Sequence, residues 1–472
     1  MLRPRTGIFA AAALLLAGCA SFSKDGGFEE VRRKVTQNVG KDVLVARTTG
    51  DRETIAKRVD ELLGKPLGVE DAVQVALFNN RGLQATFHEL GIAEADVVRA
   101  GRLPNPHLSF ASSRGGLDTA MSLEQALTFN IFSLVTIPLA SEIESRRFAR
   151  VQNQVALAVL RIASETRKAY FGAVAAEESV RYMRQVLTAA EASAELARRM
   201  ELVGNWSKLH RAREQSFYAD AVLQLARAEK SAVGAREHLT RLMGLWGNQV
   251  AFQLPERLPD LPSAADELPN VESLAMERRL DLLMARLDAE AQAKNLGLTK
   301  ATRFVNVLEL GAARERDKGY DGDRATKRTY QISFELPLFD FGTARLAKAE
   351  AIYMQALDRA AEAAVDARSE VREAYKGYRA SYDIARHFRD EIVPLRKRIG
   401  DENLLRYNGM LISVFELLAD ARAQILGVNG AIEALRDFWI ARADLDMALL
   451  GRPSISQTSP ASASRPEAPA GH

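Results

Sequence analysis

A short run of strict alternation opens directly into a very long helical pattern, and few folds accommodate that pairing. Tyr330, Ile332, Phe334 and Leu336 are apolar, while Gln331, Ser333 and Glu335 between them are polar. A period of two puts these sets on opposite faces of a strand. Pro337 stops the strand, Asp340 and Gly342 supply a turn, and a helical pattern then runs from Ala344 to about Tyr407, bent near Pro394. A single two-faced strand feeding so long a helix is out of place in a soluble enzyme. It suits a strand in a membrane barrel and a helix in an aqueous compartment.

The same order occurs twice, offset by about 200 residues. In the first copy a helical pattern from Val69 to Ala100 precedes strand candidates at His107–Ser113 and Leu123–Val135. Pro138 ends the second of these, and a helix follows from about Ile143 to Val203. In the second copy a helix over Val271–Thr299 precedes a strand at Phe304–Gly311, a charged loop over Ala312–Arg328, and the strand described above. Ile137-Pro138-Leu139 matches Leu336-Pro337-Leu338, and an arginine follows each proline by eight positions, Arg146 and Arg345. Glu165-Thr166-Arg167-Lys168-Ala169-Tyr170 echoes Glu370-Val371-Arg372-Glu373-Ala374-Tyr375. Each long helix breaks once, at Gly204-Asn205 and at Asn408–Leu411, before a last helix. Leu346, Tyr353, Ala360, Ala367 and Ala374 recur every seven residues, a spacing for coiled-coil-like packing with small residues at most contact points.

The amino terminus has a basic start (Arg3, Arg5) and an apolar run from Ile8 to Ala17, which is a signal-peptide pattern too short to cross a bilayer. Leu16-Ala17-Gly18-Cys19 resembles the lipobox of bacterial lipoproteins, which makes Cys19 the lipidated first residue of the mature chain. An ordinary cleaved signal with an incidental cysteine is the plainer reading. Cys19 is the sole cysteine of 472 residues, so it forms no internal disulfide and no thiolate metal site, and lipidation gives it a role. Ala20 at the next position resembles the signal for outer-membrane sorting in Gram-negative cells.

The formal net charge of +3 gives no basic excess for nucleic acid. Aromatic residues make up 7% of the chain against 47% apolar overall, and much of the difference is alanine, which suits closely packed helices. No run of eighteen apolar residues follows the signal, so a membrane crossing must be a closed barrel.

Helix, two strands, long helix, break and helix, done twice behind a lipobox, resembles the TolC-type outer membrane efflux proteins. The carrying motifs are Ala72–Gln84 (AVQVALFNNRGLQ), Gly101–Pro106 (GRLPNP), Leu336–Gly342 (LPLFDFG) and Arg406–Leu418 (RYNGMLISVFELL). The resemblance implies a mixed α/β membrane protein, mainly α. Four strands per chain close as a trimeric twelve-stranded β-barrel, continuous with a long periplasmic α-helical barrel. The expected organisation is a signal peptide over 1–18, a lipidated arm over 19–66, a first efflux-protein repeat over 67–253, a proline-rich linker over 254–269, a second repeat over 270–451 and a disordered tail over 452–472. Tyr330, Ile332, Phe334 and Leu336 are then expected to face lipid.

In the family the helix breaks form the periplasmic constriction. Position by position, the tip tyrosine falls on Tyr407 and the first acidic ring position on Glu416. The second falls on Ala419, next to Asp420. The locking arginine falls on Ile412 and its acidic partner on His210, so this chain departs from the usual lock. An exposed acidic helix face is the other reading of Glu416 and Asp420, and a solvated histidine near a turn is the other reading of His210. The expected partners are two further copies of the chain, a periplasmic adaptor, an inner-membrane pump and outer-membrane lipid.

No phosphate loop, nucleophile elbow or His-Glu-x-x-His helix occurs, and the six histidines form no i, i+3 or i, i+4 pair. No enzymatic activity, cofactor or metal site is expected. The leading function is a passive exit duct of a tripartite efflux system, with heavy-metal ions the favoured cargo from the mixed arm and the RYNGM tip. The alternative is a periplasmic coiled-coil lipoprotein with a scaffold or adaptor role and no pore.

Overall fold

A computed structural model of the protein describes residues 21–115, 120–304, 307–335, 337–412 and 414–453. The signal segment, Cys19, Leu336 and the tail from 454 onward lie outside the described residues. The arm carries helices α1 (Phe28–Val39) and α2 (Thr49–Leu63). The first repeat follows with α3 (Val69–Asn79), α4 (Arg81–Ala100), β1 (His107–Arg114), β2 (Met121–Asn130), α5 (Phe132–Leu202) and α6 (Lys208–Met243). The second has α7 (Val271–Arg278), α8 (Leu280–Ala301), β3 (Leu308–Lys318), β4 (Arg324–Phe334), α9 (Thr343–His387), α10 (Val393–Asn408) and α11 (Val414–Ala448). The chain is mainly helical, with one four-stranded antiparallel sheet in the order β1-β2-β3-β4.

Three boundaries differ from the sequence expectation. Helix α5 begins at Phe132, so Pro138 lies inside it rather than ending a strand. Asn130 decides this: its Oδ1 accepts from the Phe132 N–H at 3.0 Å and its carbonyl accepts from Ser133 Oγ at 2.8 Å. A helix capped there is already under way when the proline arrives, and the proline forfeits one backbone bond near the helix start. The charged loop expected over Ala312–Arg328 is mostly strand, since β3 runs to Lys318 and β4 starts at Arg324. Its charges alternate across the two faces instead of marking a solvated loop. Finally, the first helix of each repeat is split, at Asn80 (φ −65°, ψ 115°) and at Arg279 (φ −65°, ψ 121°).

The chain divides into two compact units. One comprises Met1–Ala46, Arg81–Val159 and Leu280–Asp366. It holds the sheet, and the arm is fastened within it. Phe28 packs edge-on against Phe87 at 5.1 Å, Lys34 Nζ donates to the buried Asn153 Oδ1 at 2.6 Å, and Gln84 bonds the backbone of Leu44 and Ala46 at 2.9 Å. Residues 337–342 of the LPLFDFG motif close on the end of α8. Gly342 has φ +67°, and a Cβ there would lie 2.6 Å from the Arg303 carbonyl oxygen, so only glycine fits. Arg303 Nε returns a bond to the Phe341 carbonyl at 2.8 Å, and Arg345 donates to the Thr302 carbonyl at 2.7 Å.

The other unit comprises Arg47–Asn80, Leu160–Arg279 and Ala367–His472. The echoed hexapeptides have matching jobs here. Arg167 pairs with Glu70 at 3.1 Å and Arg372 with Glu272 at 3.3 Å, each glutamate standing in the first turn of its repeat's first helix. Tyr170 donates to the Leu67 carbonyl at 2.9 Å, and the Tyr375 hydroxyl accepts from the Leu268 N–H at 3.3 Å. Burial pushes the Tyr170 phenol up to about 12. The two split points are equivalent as well. Asn80 donates to the Leu242 carbonyl at 2.9 Å at the end of α6, while Arg279 donates to the Ala448 carbonyl at 3.4 Å at the end of α11 and pairs with Glu370 at 2.7 Å. Each satisfies a carbonyl that a helix end leaves without an intrahelical partner.

Candidate functional site

The sheet register separates the strand side chains into two sets. One face carries Leu108, Leu127, Ala312 and Tyr330 in one row, then Phe129, Leu310 and Ile332, then Leu308 and Phe334, all apolar. Tyr330, Ile332 and Phe334 are 81%, 65% and 56% exposed. Such a surface stays in water only at a cost, and three consecutive apolar rows demand a cover. Of the four residues expected on this face, only Leu336 lies outside the described residues.

The opposite face is polar. Its rows are Asn130-Glu309-Ser333, His107-Thr128-Gly311-Gln331, Ser109-Ala126-Ala313-Thr329, Ala111-Glu124-Glu315-Lys327 and Ser113-Ser122-Asp317-Ala325. Four carboxylates stand there against a single lysine. Glu315 accepts from Ser122 Oγ at 3.1 Å and lies 3.7 Å from Lys327 Nζ. Glu124 and Glu315 are directly opposed, as are Glu315 and Lys327. The face therefore carries a net negative field that attracts cations.

The helix breaks lie in the helical unit. Gly204 has φ +78°, and its N–H bonds the Glu201 carbonyl at 2.9 Å while Asn205 N–H reaches Met200 at 2.9 Å. Met410, at φ +60°, repeats this, with its N–H on Tyr407 at 2.9 Å and Leu411 N–H on Arg406 at 2.9 Å. The closing geometry of the two breaks is thus the same, with glycine in one and methionine in the other. Tyr407 is the penultimate residue of α10, half-buried, and lends only its carbonyl to the turn bond. His210 is the third residue of α6 and Glu416 the third of α11, so the repeat equivalence holds in the fold. Ser207 caps α6 by accepting from the His210 N–H at 3.3 Å, and Trp206 meets the His210 ring edge-on at 6.0 Å. Glu416 is exposed. Asp420 is half-buried and accepts a hydrogen bond from Asn403 of α10.

One group was not visible in the sequence. Glu214 is 1% exposed; Ser193 Oγ of α5 donates to it at 2.8 Å and Arg422 of α11 donates at 3.1 Å. The Arg422 guanidinium also lies over the Phe217 ring at 4.3 Å. Glu214 and Asp420 occupy equivalent repeat positions, and each accepts from the helix before its break. The repeat offset was the signal that could have found the pair.

Among the described residues, no helix is long and apolar enough to cross a membrane, and no group of three or more His, Cys, Asp or Glu side chains is placed to hold a metal ion.

Residues 271–396 match the family model described as Outer membrane efflux protein. A curated relative, the cobalt-zinc-cadmium resistance protein CzcC of Cupriavidus metallidurans, is 26% identical over 288 residues. That match spans 58% of this chain and 64% of the relative's length, just under two thirds of it. Among solved structures, a membrane protein from Pseudomonas aeruginosa superposes with a TM-score of 0.70 at 20% identity, covering 81% of this chain and 92% of that one. A crystal structure of CusC, described for its folding and transmembrane channel formation, gives 0.68 at 17% identity with the same coverage. The open state of the Neisseria gonorrhoeae MtrE outer membrane channel gives 0.66 at 18% identity over 82% of this chain and 91% of that one. The duplicated order, the sheet and the family match agree: residues 271–396 are an outer membrane efflux protein segment, and the chain has the fold of the solved channels it superposes on.

Proposed function

We propose that this chain is the outer-membrane exit duct of a tripartite efflux system and that divalent heavy-metal cations are its cargo. The observation that carries the duct is the sheet. Its β1 and β4 edges have no neighbouring strand in the four-strand order, and one of its faces is apolar. An open edge in lipid leaves backbone groups unpaired at a cost of several kcal/mol each. Three copies remove those edges by closing three four-stranded sheets into one twelve-stranded barrel, with the Tyr330 face towards lipid and the acidic face towards the lumen. Cys19 anchors the mature chain to the outer membrane. An inner-membrane pump supplies the energy and a periplasmic adaptor connects it to the duct, which conducts passively.

The cargo reading rests on the lumen-side carboxylates Glu124, Glu309, Glu315 and Asp317, tripled in the trimer, since rings of acidic side chains favour cations. The cobalt-zinc-cadmium resistance named for the curated relative points the same way. At the constriction Tyr407, Glu416, Asp420 and His210 are the gate residues, with three Glu416 carboxylates forming the entry ring. Passage relies on the field of the carboxylates rather than on a bound ion.

The test is heat-modifiable trimer migration of the detergent-extracted protein, followed by conductance and reversal potential in planar bilayers. A trimer with cation-selective conductance is expected. A monomeric, non-conducting product that needs no detergent identifies a scaffold lipoprotein instead.

A further inference from the structure

Above the apolar rows, the Tyr330 face changes character. Towards the β3–β4 turn its next rows are Phe110-Gln125-Arg314-Arg328, Ser112-Leu123-Arg316-Thr326 and Arg114-Met121-Lys318-Arg324. Six cations stand on these three rows. The whole face bears no carboxylate, because Glu124, Glu309, Glu315 and Asp317 all fall on the opposite face. All six are exposed, and among the described residues none of them forms an ion pair. Asp321 and Asp323 sit in the turn beyond the strands.

The pairing is unfavourable as it stands. Arg314 is directly opposite Arg328, and Lys318 is directly opposite Arg324. Like charges at opposed positions destabilise a strand pair. Sequence alternation alone places a solvated charge here as cheaply with either sign. Complete segregation of cations onto the face that turns apolar one row lower calls for an anion at the same level.

We infer that these rows bind the phosphate groups of outer-leaflet glycolipid, so that the barrel carries a phosphate-binding girdle directly above its apolar band. This rests on the membrane-strand reading proposed above. Tyr330 marks the change from apolar to basic, where aromatic residues of membrane barrels sit at the interface. Long Arg and Lys stems lie along apolar surface such as Met121 and Leu123 while their heads collect at headgroup level. Arg314, Arg316 and Arg328 offer forked donors that match phosphate oxygens. Rows repeat roughly every 6.8 Å along a strand, so the outer two are about 14 Å apart. That is too wide for one phosphate and fits a headgroup carrying more than one.

The experiment titrates the full-length protein in neutral detergent with bisphosphorylated lipid A, its dephosphorylated form and phosphatidylglycerol, reading bound lipid by native mass spectrometry. Lipid A is expected to bind the trimer, and to bind at least about tenfold more weakly after dephosphorylation or in the Arg314→Gln/Arg316→Gln/Arg328→Gln variant. The Arg→Lys triple variant keeps most of the binding, and Glu124→Gln/Glu315→Gln keeps all of it. Phosphatidylglycerol binds more weakly than lipid A. Equal binding by the glutamine variant, or equal binding of the dephosphorylated lipid, overturns the inference; equal binding of phosphatidylglycerol overturns the assignment to glycolipid. Should the glutamine variant not fold, wild-type binding that fails to weaken as salt is raised overturns it as well. An intact, detergent-dependent trimer without cation-dependent lipid capture sinks this inference alone. A chain that is monomeric without detergent sinks the duct reading.

Discussion

Arg422 of α11 places its guanidinium 3.1 Å from Glu214 of α6, joining the last helices of the two repeats through a carboxylate that is almost wholly enclosed. Ser193 supplies the second bond to that carboxylate at 2.8 Å. Removing one partner of an enclosed ion pair leaves the other charge without compensation. Because Arg422 is 37% exposed at its side chain, water offsets part of the loss. Arg422→Ala is expected to cost about 1–3 kcal/mol, below the range for a fully buried pair. Thermal unfolding followed by helical circular dichroism measures it, and Arg422→Lys should recover part of the loss. A loss below that range would show that the pair is decorative.

The second break holds Met410 at φ +60° where the first holds Gly204 at φ +78°. Left-handed geometry costs a side-chain-bearing residue about 1–2 kcal/mol, and glycine's extra unfolded-state entropy returns roughly 0.5–1 of it. Met410→Gly should therefore stabilise the break by about 0.5 kcal/mol, and Gly204→Ala should destabilise it by about 1 kcal/mol. The opposite sign for either variant in denaturant unfolding would contradict this account of the turn.

These two cases show what the sequence could and could not reveal. Both breaks, the long helices and the strand at Tyr330 were legible because periodicity and turn residues are local signals. The echoed Arg167 and Arg372 were legible as a repeat, though their clamping glutamates emerged only in the fold. The start of β3 falls within the strand expected at Phe304–Gly311, but its far part escaped recognition because Arg314, Glu315, Arg316, Asp317 and Lys318 show no apolar alternation; their alternation is one of charge sign. The start of α5 was misplaced because Pro138 is a strong local stop signal, overridden by the Asn130 cap. Glu214 was invisible because its partners lie 21 and 208 positions away, and nothing local marks a glutamate as buried.

The two faces of β4 predict opposite responses to the same residue. Ile332→Lys puts a charge on the apolar face and should cost about 2–4 kcal/mol if that face meets lipid. Gln331→Lys, one position earlier, places it on the polar face and should be tolerated. Heat resistance of the proposed trimer on gels reports both, and equal sensitivity would refute the inward and outward assignment.

Asp446 supplies a pH test in the helical unit. Its side chain is 50% exposed, yet the protein packed around it removes enough water to raise its pKa modestly, and Arg442, 3.6 Å away, opposes the shift. A raised carboxylate pKa means the folded state holds the proton more tightly than the unfolded chain. This residue's contribution to stability is therefore greatest near the ordinary carboxylate range and declines as pH rises through the raised value. Asp446→Asn removes that decline. The stability of the variant relative to the parent should therefore improve with rising pH across the window above 3.8. Unfolding midpoints for both proteins between pH 4 and pH 7 provide the comparison, and a difference independent of pH would show that Asp446 does not titrate anomalously.

Charge selectivity should follow the acidic face of the sheet. Glu124 and Glu315 are opposed in the register, with Lys327 opposed to Glu315 on its other side. Glu124→Gln/Glu315→Gln removes two of that face's four carboxylates per chain and leaves the lysine, so the local net charge falls from −3 to −1. Rings of like charge set the preference of a wide pore for one ion sign. The reversal potential in a salt gradient should shift towards that of a non-selective pore, with single-channel conductance least affected at high salt, where screening weakens the ring. An unchanged reversal potential would place the selectivity elsewhere, with Glu416, the proposed entry-ring residue, as the next position to neutralise.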